Sequence, residues 1–423
     1  MSSEPDVLVI GGGIIGASCA YYLAREGAQV TLIEREEAIC PVDGATYANA
    51  GLVMPSDPYP LPAPGVLGQG LKWLLDSSSP LYIRPRPSPA LARWLAGFAV
   101  ASRESTMRRH MPVLRSLGIE GIKAFDELHS SGELDGGYHH NGILTLYLAR
   151  SKFEAAAADA DVLRASFAVQ SEALGAAVVR ERVPAALPGV AGGILHGEDA
   201  HADACAFTRE LARLAARQGA TVLTATEALD FRLAGRRVAA VTTTRGTVAA
   251  NTVVLAAGVW SAALARPLGL RLPLQPAKGY SVTVPRPAGV PEDLPLYLPE
   301  GHVCVTPYGE HLRLAGTLEL SGINDRVLAN RLQAIRAGAG RFLEGAATGE
   351  PLQIWRGLRP MTPDGLPIVG RARRLENLVL ATGHNMNGLM YGPITGRLVA
   401  EMVAGRAPSL DIHPLRAERF TLL

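Results

Sequence analysis

Cysteine is scarce: the chain has four in 423 residues, at positions 19, 40, 205 and 304, with no CxxC pair and no Cys/His spacing of the kind that holds zinc. A disulfide framework and a metal centre are therefore not expected, and the four thiols read as reduced core or loop residues. An excess of charge of one sign is also missing. Lys and Arg total 41 against 39 for Asp and Glu, a formal net charge of +2, so no global field draws nucleic acid or an anionic membrane. Long apolar runs are lacking too. The longest, Val253 to Ala265, is broken by Gly258 and Ser261 and falls short of the ~20 residues a membrane span requires. The polar start MSSEPD has no signal-peptide pattern, so the expected location is cytoplasmic, with peripheral contact at the cytoplasmic face of the inner membrane left open.

What is present is enough apolar material for large cores, 48% of residues against 19% charged, in a chain too long for one of them. Two domains are expected, possibly built from discontinuous segments.

The opening carries the strongest local signal. A fully apolar run, Val7 to Ile10, meets Gly11-Gly12-Gly13, helical spacing follows through Leu23, and a second apolar run, Val30 to Ile33, ends in Glu34 and Arg35. This is a strand-turn-helix-strand unit with Gly11-x-Gly13-x-x-Gly16 at its turn, the dinucleotide fingerprint in its required context. Gly11 permits the tight turn, Gly13 lets backbone approach a pyrophosphate, and Gly16 lets helix and strand pack closely. The helix start at Ile14 and Ile15 offers unpaired N–H groups to phosphate, and Glu34 suits ribose hydroxyls while repelling a 2′-phosphate. The fingerprint alone does not separate a flavin from a nicotinamide dinucleotide.

Residues 54 to 89 are dense in Pro, Gly and Ser, which forbids long regular elements. Helical patterning spans Ala90 to Leu128, and Tyr138 to Leu148 reads as strand. Asp203 is a helix N-cap, with Gly219 as the stop. Strands follow at 221–224, 238–243 and 252–257, the last leading into Ala257, Gly258, Trp260 and Ser261. The alternation at 280–284 and 311–314 predicts antiparallel strands with one buried face. A helix is expected at about 324–344. Near the end, Gly383-His384-Asn385-Met386-Asn387-Gly388-Leu389 precedes Pro393, taken as the first residue of a helix through Met402. A helix start there suits the anionic edge of a reduced flavin.

Five segments in order, ATYANAGLVMPSDPYPLPAPGVL, VVLAAGVWS, PAKGYSVTVP, RGLRPMTPDGLPIVG and LATGHNMNGLMYGPITG, make the chain resemble the D-amino-acid oxidase superfamily. The likeness is greatest to its D-amino-acid dehydrogenase branch and glycine-oxidase-like relatives, and it covers nearly the whole chain. It implies an α/β and α+β architecture. A Rossmann-type FAD domain would comprise 1–85, 199–275 and 355–423, and a substrate domain with a mixed or antiparallel sheet flanked by helices would comprise 86–198 and 276–354.

The resemblance also implies roles. Gly11, Gly13, Gly16, Glu34 and Arg35 would hold the ADP half of a noncovalent FAD. Thr46, Asn49, Ala50, Gly51 and Leu52 would follow phosphates and flavin, and Ala228 would contact adenine through its backbone. Ala257, Gly258 and Trp260, with Gly383, Asn387, Gly388 and Leu389, would close the site. Arg359 would pair with an amino-acid carboxylate, for which a planar fork of permanently charged donors is well shaped; the alternative for such an arginine is a surface or interdomain ion pair. Tyr280, Tyr297 and His302 fall where the substrate cavity is lined, although strand aromatics are more often packing. Met386 stands where some relatives carry a polar residue. His384 can approach the ring without acting as a base, and Asp364 and Pro367 shape a turn. The implied activity is oxidative deamination of a small amino acid, most consistent with a D-amino acid, with electrons passed to a quinone or other acceptor. An oxygen-using amine oxidase and a flavin subunit of an electron-transfer complex are the rivals.

Overall fold

The computed structural model describes residues 6–66, 68, 79 and 81–420. Two large sheets organise it. The first has six strands in the order 368–371, 378–382, 252–255, 7–10, 30–33 and 221–223. All pairs are parallel except the edge pair formed by Ile368–Arg371. The central strands read VLVI, TVVL and LVLAT and are almost wholly buried, because elements cover both faces of a parallel sheet.

On one face lie the helices Ile14–Arg25, Ala204–Arg217 and Gly388–Val403. The first and last cross closely, because a Cβ at Gly396 would strike the Ser18 carbonyl, 2.5 Å away. On the other face a three-stranded antiparallel sheet, residues 228–234, 237–243 and 246–248, brings Phe231, Val238 and Val241 against Leu8, Ile10 and Val253. Val7–Ile10 pairs with Val30–Ile33 on one side and Thr252–Leu255 on the other. That reversal of strand order opens a crevice at the carboxyl ends of the strands.

The second sheet has nine strands. Its path runs 353–361, 275–285, 311–320, 303–308, 296–298, 143–147, 192–196 and 171–175, with Leu81–Ile83 parallel to the end of 311–320. Helix Ala329–Gly340 covers one face, packed on a core that includes Tyr280, Val282, Val303 and Leu314. The sheet's membership shifts two of the expected boundaries. Leu81–Ile83 and Gln353–Met361, assigned wholly or in part to the dinucleotide segments, pair in this sheet instead.

Other expectations are adjusted locally. Asp203 caps its helix, accepting from the N–H groups of Cys205 and Ala206 at 2.9 and 3.0 Å, and Gly219 is left-handed at φ +98°. The helix expected over 324–344 is shorter, Ala329–Gly340. The stretch read as continuously helical from Ala90 is two helices, Pro89–Ala101 and Glu104–Ser130. Pro393 does not begin its helix. The helix starts at Gly388 and carries Pro393 inside, since Leu389 and Met390 are buried in the core and hold the first turn in place. Within the Pro-, Gly- and Ser-dense stretch 54–89, residues 67, 69–78 and 80 lie outside the described residues.

Candidate active site

A cavity of about 390 Å³ runs from the crevice of the first sheet to the near edge of the second. Its inner wall is the glycine turn. Gly11, at φ +113°, lies against the Ala256 carbonyl, and a Cβ on Gly16 would run into the Gly11 carbonyl oxygen, so these two glycines serve close packing. Gly13 differs. It faces the open cleft, where the nearest atom to an added Cβ is Thr46 Oγ1 at 3.5 Å. The helix that begins at Ile14 has no acidic residue in its first turn and no cap from Gly13; Ile14 N–H donates to Thr46 Oγ1 at 3.4 Å, which leaves the N–H groups of the rest of the first turn for an anion.

At one end the Glu34 carboxylate accepts from Gly12 N–H at 2.6 Å and Glu36 N–H at 3.0 Å. Burial pushes its carboxyl up, against the pull of these two donors and of Arg35. The Arg35 guanidinium lies 3.9 Å from the Trp260 ring centroid, and Ala228 with Thr226 and Glu227 closes this end. Toward the other end the walls are Ala257, Gly258, Thr46, Asn49, Met386, Gly388 and Leu389. His384 also lines the cleft; Nε2 bonds Thr395 Oγ1 at 2.9 Å, while its buried Nδ1 has no protein partner. Burial lowers this imidazole to about 3, so it is neutral at working pH. An anion-ready helix start, a carboxylate held on the Gly12 N–H of the glycine turn, and a buried unpartnered nitrogen on a histidine that lines the cleft together fit FAD.

The loop through Ala48–Ala50 is clamped from the second sheet. Ser281 Oγ donates to the Ala48 carbonyl at 2.8 Å, Arg313 Nη1 to Asn49 at 3.3 Å and Thr306 Oγ1 to Ala50 at 2.6 Å. Gly51, at φ +71°, passes Tyr308 so closely that no side chain fits. Ala50, Gly51 and Leu52 therefore hold the loop in shape without lining the cavity, and Leu52 pairs with His201 as a short strand. Gly16, Gly383 and Asn387 also lie outside the lining. Gly383 makes a left-handed turn at φ +71°, and Asn387 flanks the last helix, its amide 3.4 Å from Tyr391 Oη.

Arg359 extends from the edge strand of the second sheet into the cavity. It pairs across from Ala277, and its guanidinium covers Gly279, where a side chain would collide with it. Nη1 donates to the Thr317 carbonyl at 3.0 Å. Among the described residues no carboxylate pairs with it, which removes the ion-pair alternative. Burial disfavours its charge, yet guanidinium remains protonated, so the cavity holds an uncompensated cation.

Strand parity decides the other candidates. Ala277, Gly279 and Ser281 face the cleft, which turns Lys278 and Tyr280 to the opposite side. Tyr280 is buried there and donates to Glu319 Oε2 at 2.6 Å, so it is removed from the cavity. His302 is also displaced; it sits in a left-handed turn beside a shallow groove with Glu300, Gly301 and Ala334. Tyr297 does not line the dinucleotide cleft, but it pairs across from Cys304, Cys304 from Ala315 and Ala315 from Ser281, so with Arg359 opposite Ala277 the three share one sheet face. Asp364 accepts from Arg419 Nε at 2.7 Å, consistent with a structural turn. The lining also includes Ile33, whose carbonyl accepts from Gly11 N–H at 2.9 Å, together with Pro41, Gly44, Thr382, Leu358 and Pro360, none of which was anticipated; these mostly apolar and small residues have no chemical signature in sequence.

Among the described residues no group of three or more His, Cys, Asp or Glu is arranged for a metal, and no helix is long and apolar enough to cross a membrane. A glycine-turn dinucleotide cleft facing an antiparallel sheet that presents a bare guanidinium defines the class: a flavin-dependent oxidoreductase. The chain belongs to the DAO family, FAD dependent oxidoreductases, whose pattern matches residues 6–402. It is 33% identical over 422 residues to a D-amino acid dehydrogenase of Agrobacterium fabrum, covering 98% of this chain and 99% of that protein. A protein of the same description from Paramagnetospirillum magneticum is 36% identical over 427 residues, covering 98% and 99%. The crystal structure of glycine oxidase from Geobacillus kaustophilus superposes with a TM-score of 0.74 at 26% identity over 99% of both chains.

Proposed function

We propose that this protein oxidises the C–N bond of a small amino acid, a D-amino acid by the reading its relatives favour, giving the 2-oxo acid and ammonia and passing electrons to a quinone or another acceptor. The observation that carries the reading is Arg359: a charged fork with one protein acceptor, no carboxylate partner among the described residues, and an opening toward the cleft. Bound FAD would supply the acceptor for the hydride leaving the substrate Cα. Gly11, Gly13, Glu34 and the helix start at Ile14 would hold its ADP half.

The chain's own part is binding and aim. Thr317 C=O fixes one edge of the guanidinium, Gly279 leaves room beneath it, and the remaining N–H groups are free for two carboxylate oxygens. Leu358 and Leu389, both buried, would give the cleft an apolar wall beside the reacting carbon. Among the described residues lining the cleft, the carboxylates Glu34 and Glu227 lie at the ADP end and His384 is held neutral and tied to Thr395, so none is placed as a base for the substrate. Orientation of the Cα–H is therefore the main catalytic contribution.

The test is Arg359→Leu. Losing two charge-assisted hydrogen bonds, roughly 3 kcal/mol together, raises KM for the amino acid about 100-fold while the purified protein stays yellow. An unchanged KM rejects the assignment. Anaerobic bleaching of the flavin by D-, L- and cyclic amino acids identifies the substrate, and reoxidation by air compared with a quinone identifies the acceptor.

A further inference from the structure

The single protein acceptor of Arg359 comes from an irregular place in the second sheet. Strand His311–Leu320 pairs with 275–285, with 303–308 as far as Gly316, and with 81–83 from Leu318 onward. Thr317 alone among its residues has no partner on a neighbouring strand. The pairs Lys278–Glu319 and Tyr280–Gly316 leave two residues, Thr317 and Leu318, opposite the single Gly279, which is a β-bulge. At this bulge Thr317 is left-handed, with φ +63°. Glycine adopts that conformation freely, whereas a β-branched residue is strained in it. The side chain offers no compensation, since Oγ1 is buried without a hydrogen-bond partner among the described residues.

What the bulge provides is a carbonyl released from the ladder. In a regular strand each carbonyl lies in the plane of the sheet, directed at a neighbouring strand, and none is presented to a side chain on the face. The Thr317 carbonyl instead accepts from Arg359 Nη1 at 3.0 Å. The guanidinium lies over Gly279, the residue that the bulge opposes. Arg359 itself pairs with Ala277, so its side chain reaches back along the strand to arrive there. A side chain this long loses much rotamer freedom when it is fixed, and a ligand that had to fix it would bind more weakly.

We infer that Thr317 is a positioning residue: its unpaired carbonyl, turned out by the bulge, holds the Arg359 guanidinium over Gly279 with the rest of its fork open to the cleft. Strain at Thr317 is thereby coupled to carboxylate affinity, the arrangement expected where a distorted backbone serves binding. The inference rests on the function proposed above.

The experiment titrates propionate, a carboxylate with no amino group to oxidise, into the holoenzyme and follows the flavin absorbance. Deleting Thr317 removes the bulge while leaving Glu319 opposite Lys278 and Gly316 opposite Tyr280. The deletion is expected to weaken propionate about 10-fold, the loss of one hydrogen bond from a charged donor, at unchanged FAD affinity. Thr317→Gly keeps the carbonyl and reaches the left-handed region without strain, so it holds propionate within about twofold of the wild type and melts no lower. If the deletion variant does not retain flavin, an ester replaces the peptide bond between Thr317 and Leu318. The ester weakens that carbonyl as an acceptor with every side chain in place, and a roughly threefold loss of propionate is expected. Unchanged affinity in the deletion or the ester, or an equal loss in Thr317→Gly, overturns the inference and leaves the Arg359 reading standing. Propionate bound no more tightly by the wild type than by Arg359→Leu overturns both.

Discussion

Two glycines of one fingerprint do different jobs, and single methyl groups separate them. A Cβ at position 16 meets the Gly11 carbonyl oxygen, backbone that has nowhere to move. Gly16→Ala is expected to destabilise the fold by about 3 kcal/mol, read as a lower urea midpoint. At position 13 an added methyl meets only Thr46 Oγ1 at 3.5 Å, so Gly13→Ala folds normally but carries little flavin after purification, because the methyl occupies the phosphate path. Equal stability of the two variants contradicts this division. The same contrast explains what individual residues disclose in advance. Gly11, Gly13, Gly16 and Glu34 are legible because their spacing is local to one turn. Arg359 is legible through the Gly-Leu-Arg-Pro segment, but its freedom from ion pairing is a tertiary fact. Tyr280 misleads because alternation reveals two faces without revealing which one meets the cleft, and an aromatic is welcome on either.

At the scale of elements, the loop over residues 48–50 depends on three side chains from another sheet, more than 200 positions away. Ser281→Ala combined with Thr306→Val removes two of its anchors, each about 1 kcal/mol, and weakens flavin binding by roughly 30-fold. Titration of the apoprotein with FAD, followed by fluorescence, measures it; unchanged affinity means the clamp is ornamental. No local pattern reveals this contact, since Ser281 and Thr306 look like ordinary strand residues. Helix boundaries suffer similarly. Pro393 looks like a helix start by propensity, but burial of Leu389 and Met390 carries the helix back to Gly388. Elements with strong periodicity, such as Ala204–Arg217 with its Asp203 cap, are evident from sequence because local and tertiary demands agree.

For the whole molecule, buried neutral histidines set the acid limit. His201 and His384 are each depressed by burial to about 3, from an ordinary 6.5. The unfolded chain binds protons at these two sites that the native state refuses, so stability is complete above about pH 6.5 and falls as pH drops toward 3. Below the unfolded pKa each contributes up to about 1.4 kcal/mol per pH unit. Urea midpoints at pH 7 and pH 5 are expected to differ clearly, and replacing His201 by Gln flattens the difference; a pH-independent midpoint refutes it.

The strand Gln353–Met361 hydrogen-bonds along the second sheet, and six residues after it ends the chain enters Ile368–Arg371 of the first. Arg359 therefore rides on a covalent strut between the two halves, with the 48–50 loop stitched across the same seam. A clamshell motion opening that seam would have to break the three hydrogen bonds to the 48–50 loop. If Arg359 holds the substrate carboxylate as proposed, that grip is preassembled before substrate arrives.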